Sequence, residues 1–206
     1  MISAAEALER LKQGNKEFAS GQPAKAKNPD LTLVQRATLA QEQNPFAIIL
    51  GCSDSRVPAE IIFNQGLGDL FVIRVAGNIV APSQVGSVEF AAERYDAPLV
   101  VVLGHSKCGA IQATIEALYN PGSKSSSNLM SIVNRVRPSV EILMHTDLRH
   151  DLDKLSNLAV RANVQVSVNQ LRHGSAVLEN LIAKGELKVV GAEYSLDTGL
   201  VEFFNI

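Results

Sequence analysis

Phe46-Ala-Ile-Ile-Leu50-Gly-Cys52-Ser-Asp54-Ser-Arg56 decides how the chain is read. Five apolar residues follow Asn44-Pro45 without interruption, the pattern of a strand covered on both faces, and polar residues begin directly after them. The pattern returns at Phe71-Val-Ile-Arg-Val75, Leu99-Val-Val-Val-Leu103 and Lys188-Val-Val-Gly-Ala192, and segments of helical period at 84–95, 109–119 and 151–183 separate the runs. Such alternation predicts an α/β fold with a four-stranded parallel sheet flanked by helices. A last run, Leu200-Val-Glu-Phe-Phe204, comes after only Ser195-Leu-Asp-Thr-Gly199. That link is too short for a parallel crossover, so this run is expected to be a C-terminal antiparallel edge strand.

Upstream of the first strand, Ala4, Leu8, Leu11 and Phe18 recur at helical spacing behind Ser3, which suits an N-cap with Glu6 three residues on. A helix over 3–19 is expected, then an irregular arm over 20–30, rich in Pro, Gly and polar residues, and a second helical stretch from Leu31 to Gln43. The expected organisation is one domain over residues 1–206, with an N-terminal helical arm at 1–44 and an α/β core at 45–206. Gly122-Ser-Lys-Ser-Ser-Ser-Asn128 reads as a solvated loop. A net charge of −2 gives no reason to propose a nucleic-acid partner or an anionic membrane surface. No apolar run approaches the roughly 20 residues that span a bilayer, and the start of the chain is amphipathic rather than signal-like, so a cytoplasmic location is expected.

The chain's two cysteines both lie directly behind predicted strands, in Cys52-Ser-Asp54-Ser-Arg56 and in His105-Ser-Lys-Cys108. Free cysteine is often simply buried. Here, however, thiolate, imidazole and carboxylate stand together, the donor set of tetrahedral Zn²⁺, and His-x-x-Cys is a chelating spacing. Open α/β sheets bind ligands beyond the carboxyl ends of their strands, where both segments fall. Cys52, Asp54, His105 and Cys108 therefore form a candidate zinc site. Four protein ligands would close the metal, whereas catalytic zinc keeps one position open. Asp54 is the conditional ligand, because Arg56 can hold its carboxylate bidentately and draw it away. Two thiolates would leave a zinc-coordinated water less acidic than an all-histidine site does, which favours activity at alkaline pH.

Cys-Ser-Asp-Ser-Arg followed by Gly-His-x-x-Cys-Gly, on an α/β chain of this size, resembles the β-class carbonic anhydrases. The resemblance extends over nearly the whole chain, through Gln43-x-Pro45, Gly68-Asp-Leu-Phe71-Val-x-Arg74, Asn78, Gly104 and Tyr194-x-x-x-x-Gly199. It implies that Cys52, His105 and Cys108 are the permanent zinc ligands and that Asp54 and Arg56 form an Asp–Arg dyad controlling the fourth zinc position. It also implies that Gln43 and the backbone N–H of Gly109 bind bicarbonate, and that Phe71, Ala76 and Phe90 occupy positions of an apolar pocket. Phe71 and Phe90 read equally well as core residues. Ala76 is smaller than the valine of plant-type members, and Phe90 stands where they carry a tyrosine. Of an inhibitory bicarbonate pocket found in some members, Arg74 and Tyr194 match, but Ile49 replaces its tryptophan.

The implied reaction is reversible hydration of CO₂ to bicarbonate and a proton by zinc-bound hydroxide, in a homodimer or dimer of dimers whose N-terminal helix packs on a partner. Two alternatives remain open. A related zinc enzyme could hydrolyse carbonyl sulfide or carbon disulfide, and a closed zinc site could serve structure or redox sensing.

Overall fold

The computed structural model describes residues 2–21, 37, 39–120, 122 and 125–204. Strands β1 (Ala47–Gly51), β2 (Leu70–Arg74), β3 (Leu99–His105), β4 (Lys188–Tyr194) and β5 (Val201–Phe204) make one five-stranded sheet in the order β2-β1-β3-β4-β5. The first four pair in parallel and β5 pairs antiparallel with β4, as the lengths of the connections predict.

Every residue of β1 and β3 is buried, because helices cover both faces. Alternate residues serve the two layers. Ala47, Ile49, Leu99, Val101 and Leu103 pack against Ala7, Leu8 and Leu11 of helix α1 (Ala4–Ala19) and against Ala59 and Ile62 of the short α2 (Ala59–Ile62). Ile48, Leu50, Val100 and Val102 face α3 (Pro82–Tyr95), through Val88, Ala91 and Ala92. After α4 (Gly109–Tyr119) and α5 (Ser127–Met144), the chain returns to this face in α6 (Leu152–His173) and α7 (Ala176–Ala183), which add Val164, Val168, Leu171 and Leu178.

Helix α1 begins as its sequence predicts. Ser3 Oγ accepts from the Glu6 N–H at 3.2 Å, and the Glu6 carboxylate accepts from the Ser3 N–H at 2.7 Å. The helix expected over 31–43 falls largely outside the described residues, as does most of the irregular arm at 20–30. Two expectations need correction. The helical segment at 151–183 is two helices, because α6 ends before Gly174 and Ser175 caps α7 by accepting from the Leu178 N–H. The supposed loop at 122–128 runs into α5, an 18-residue helix capped by Ser126. Pro138 inside α5 masks it in the sequence, but burial of Val133, Val136 and Val140 against Ile111 and Ile115 of α4 outweighs the missing N–H. Among the described residues, no helix is long and apolar enough to cross a membrane.

Chain order reverses between β1 and β3. From β1 the chain steps outward to β2, then crosses to β3 on the other side. The crevice at the carboxyl ends of β1 and β3 is the topological switch point, where α/β sheets hold ligands. Gly51 lies opposite Leu103, so Cys52 leaves the sheet beside Gly104 and His105.

Candidate metal centre

Cys52, His105 and Cys108 converge at this crevice, with one donor atom from each lying within 4.8 Å of the others and all three side chains buried. Each is delivered by local backbone chemistry. Cys52 follows β1 directly, and its loop is clamped by Arg74, whose guanidinium donates to the carbonyls of Cys52 (3.0 Å) and Asp54 (2.6 Å). His105 is the last residue of β3. Lys107 then takes a left-handed conformation (φ 57°), and Cys108 becomes the N-cap of α4.

The tautomer of His105 follows from its neighbours. Its Nδ1 lies 2.9 Å from the Ser106 carbonyl, which can only accept, so Nδ1 carries the hydrogen and Nε2 presents a lone pair. Nε2 is buried without a hydrogen-bond partner. An orphaned imidazole nitrogen facing two buried thiols is costly in a metal-free interior and is what a metal would satisfy. The residues therefore fit a thiophilic, imidazole-accepting cation such as Zn²⁺.

The two thiols shift in opposite directions. Proximity to the Cys108 thiol leads the influences that lower the Cys52 pKa, followed by His105 and the N–H groups of Gly77 and Asp54, all acting against burial. The same Cys52 contact, together with burial, raises Cys108, which the N–H groups of Ile111 and Ala110 at the start of α4 partly offset. Burial opposes charge on His105, but the neighbouring Cys52 sulfur, the Ser106 carbonyl and Asp54 raise the imidazole pKa overall.

Asp54 stands outside the three-residue group and engages Arg56. Its Oδ1 accepts from Arg56 Nε at 2.9 Å and from the Arg56 backbone N–H at 3.0 Å, and its Oδ2 accepts from the terminal guanidinium nitrogen at 2.7 Å. These hydrogen bonds hold the carboxyl well below the usual carboxylate range. Oδ2 nevertheless stays 3.9 Å from His105 Nε2, so the carboxylate borders the ligand cluster.

The remaining residues singled out from sequence divide into two places. Gly109, exposed, opens α4 beside Cys108, and half-buried Ala76 starts the 3-10 turn Ala76–Asn78 that touches Cys52. Gln43, Phe71 and Phe90 gather elsewhere, around Tyr95. Gln43 Nε2 donates to the Tyr95 hydroxyl at 2.9 Å, and the ring centroids of Phe71, Phe90 and Tyr95 lie 5.7 to 6.2 Å apart. Phe71 is opposite Ile48, four residues before Cys52, roughly 13 Å back along the strand. One chain does not bring this cluster to the Cys52, His105 and Cys108 side chains. Ile49 and Tyr194 are buried in the sheet, and Arg74 is occupied by the Cys52–Asp54 loop.

Sequence reasoning named Ala76 as a pocket position and Asn78 as part of the resemblance, but missed Gly77 and the helix residues that hold the turn Ala76-Gly-Asn78. Gly77 (φ 70°) and Asn78 (φ 42°) are both left-handed, and the Gly77 N–H donates to Cys52 Sγ at 3.3 Å. Two buried polar residues of α6 hold this turn: Asn163 donates to the Gly77 carbonyl at 2.7 Å and Ser167 to the Asn78 carbonyl at 3.0 Å. Their signal was present, since polar residues interrupt the apolar face Ala159, Val160, Val164, Val168, Leu171 at helical spacing.

A family model described as carbonic anhydrase matches residues 47–201, which include the three converging side chains. The chain belongs to the carbonic anhydrase family. Carbonic anhydrase 2 of Mycobacterium tuberculosis (strain H37Rv) is 41% identical over 193 residues, covering 94% of this chain and 89% of that protein. A carbonic anhydrase of Mycolicibacterium smegmatis is 40% identical over 196 residues, covering 95% and 91%. The fold is that of the β class: the β-carbonic anhydrase CcaA superposes with a TM-score of 0.74 at 23% identity, covering 96% of this chain and 95% of the other. A tetrameric β-carbonic anhydrase of Sordaria macrospora gives 0.74 at 22% identity and covers 98% of both chains. The lyase family thus joins a Cys-His-Cys group that could hold a metal to a fold that places it at the switch point.

Proposed function

We propose that this chain binds Zn²⁺ through Cys52, His105 and Cys108 and catalyses CO₂ + H₂O ⇌ HCO₃⁻ + H⁺. The observation that carries this reading is the convergence of three buried donors while Arg56 engages Asp54, leaving a three-ligand set of the catalytic kind. When bound, the metal supplies a Lewis acid that makes water acidic enough to furnish a nucleophile near neutral pH.

The chain's own residues perform the rest. Arg56 keeps Asp54 ionised and turned from the ligand cluster, and Asp54 Oδ2, at the border of that cluster, accepts a hydrogen bond from the attacking water. An acceptor there favours molecules that carry a hydrogen and disfavours those that cannot donate one. The Gly109 N–H, exposed at the start of α4 beside Cys108, orients the bicarbonate oxygen. Gln43, Phe71 and Phe90 lie too far back along the sheet to serve the same chain's metal ligands. In this reading they complete the pocket of a second copy: Phe71 and Phe90, with Ala76, bound the apolar space for CO₂, and Gln43 donates to the product. A homodimer or dimer of dimers follows. The tetrameric relative in the same fold supports it, as does the exposure of Phe90, 52% in the single chain.

Stopped-flow CO₂ hydration from pH 7 to 9 tests the proposal, with a chelator-treated sample as control. Zinc-dependent turnover that rises with pH is expected, because two thiolates neutralise much of the metal's charge. Absence of CO₂ turnover in protein shown to hold zinc would overturn it; turnover of carbonyl sulfide or carbon disulfide instead would move the assignment to a sulfur-substrate hydrolase.

A further inference from the structure

We propose that Asn163, seconded by Ser167, is a positioning residue for the metal centre, acting on Cys52 through the Gly77-Asn78 turn. The inference rests on the zinc site proposed above and assigns the long helix α6 a part in it.

The geometry forms one continuous path. Asn163 Nδ2 donates to the Gly77 carbonyl at 2.7 Å, and the Gly77 N–H donates to Cys52 Sγ at 3.3 Å. One turn along α6, Ser167 Oγ donates to the Asn78 carbonyl at 3.0 Å. Both helix residues are 2% exposed and Asn78 is 3% exposed, so water does not compete for these bonds. The turn needs such help. Two successive left-handed residues, one of them an asparagine, do not hold themselves. Their carbonyls are met by side chains of α6.

Close approach of α6 makes the reach possible. A Cβ on Gly104, the residue before His105, would lie 2.5 Å from a methyl of Val164, the neighbour of Asn163. A Cβ on Gly77 would come within 3.0 Å of Ala110 Cβ, next to the α4 start that carries Cys108. The same packing that seats His105 and Cys108 thus seats the turn that addresses Cys52.

An N–H aimed at a thiolate sulfur draws off electron density and fixes which lone pair faces the metal. Freed from Asn163, the turn can rotate the Gly77 N–H away, and the sulfur loses that orientation. A purely structural Asn163 would affect folding and leave the metal's surroundings as they were.

The test loads full-length wild type, Asn163→Ala, Ser167→Ala and a control, Val168→Ala, with zinc and separately with Co²⁺. Val168 is a neighbour on α6 that is buried in the core against the sheet rather than bonded to the turn. Zinc affinity is measured by chelator competition, and the sulfur-to-cobalt charge-transfer band by absorption. Asn163→Ala is expected to weaken zinc about 10–100-fold and to shift the band. Ser167→Ala should weaken zinc about threefold, and Val168→Ala should lower Tm without moving either readout. A lowered Tm in Asn163→Ala with zinc affinity and cobalt spectrum unchanged overturns the inference. If Asn163→Ala does not fold, Ser167→Ala decides: a wild-type spectrum and affinity there also overturn it. Failure of the wild type to bind zinc or Co²⁺ through sulfur would instead remove the zinc site itself.

Discussion

In the proposed reading three side chains from two strand ends hold the metal, and substitutions there and at Asp54 should separate metal binding from turnover. Cys52→Ser or His105→Ala removes a donor from a buried three-membered set and should abolish zinc retention and CO₂ hydration together, checked by metal analysis beside the assay. Full activity in a zinc-free variant would sink the site. Asp54→Asn should behave differently. It leaves the three donors intact, so zinc is retained, while turnover falls about 10²-fold or more because the water loses its acceptor. Asp54 also carries a pH signature. Its folded pKa lies below the ordinary carboxyl value of 3.8, so its stabilisation is fully present above about pH 4 and fades as pH falls through the lower folded value. Arg56 is half exposed, so solvent screening keeps the contribution of the pair small. Zinc-free Asp54→Asn should therefore melt roughly 2–4 °C below wild type at pH 6 and approach it toward pH 2, by calorimetry. An equal deficit at both pH values would show that the charge is not what stabilises the loop.

At the scale of elements, Asn15 joins α1 to the end of α2 and to the turn that leads into β5. Its amide donates to the carbonyls of Ile62 (3.3 Å) and Gly199 (2.9 Å), and its oxygen accepts from the Val201 N–H at 2.7 Å. It is 3% exposed, so Asn15→Ala strands three backbone groups in a dry interface. A loss of ~2–3 kcal/mol is expected, a fall in Tm of roughly 4–12 °C, without loss of zinc. A change below 1 °C would mean that water replaces the side chain. The helices also show where pattern reading stops. The Ser3–Glu6 capping box was legible because it is local, as were the uninterrupted apolar strands. Helix α5 was hidden by Pro138, since its stability comes from packing on α4 rather than from propensity.

For the whole molecule, the decisive expectation concerns assembly. Phe90 is half exposed, although it packs with Phe71 and Tyr95 in a cluster adjoining Gln43. Phe90→Glu should leave the monomer folded, since the side chain buries little within one chain, yet should weaken the oligomer and lower CO₂ turnover in parallel. Sedimentation velocity and the hydration assay across a dilution series would check this. A monomeric wild type at full activity would contradict the shared pocket.

By itself, the sequence determined the alternation of buried strands and helices, the antiparallel last strand, the two segments that carry the candidate ligands and the family they resemble. These follow from period, link length and donor chemistry, all of which are local. Tertiary structure alone decided that β1 and β3 are neighbours, which brings Cys52 to His105, and that Arg56 rather than the ligand cluster holds Asp54. It alone placed Gln43, Phe71 and Phe90 away from the same chain's Cys52, His105 and Cys108 and joined Asn163 to Cys52 across the Gly77 turn. The reason is physical: a strand's neighbours and a buried amide's partner are set by which surfaces pack, and residues 86 positions apart, such as Asn163 and Gly77, carry no local sign of their meeting.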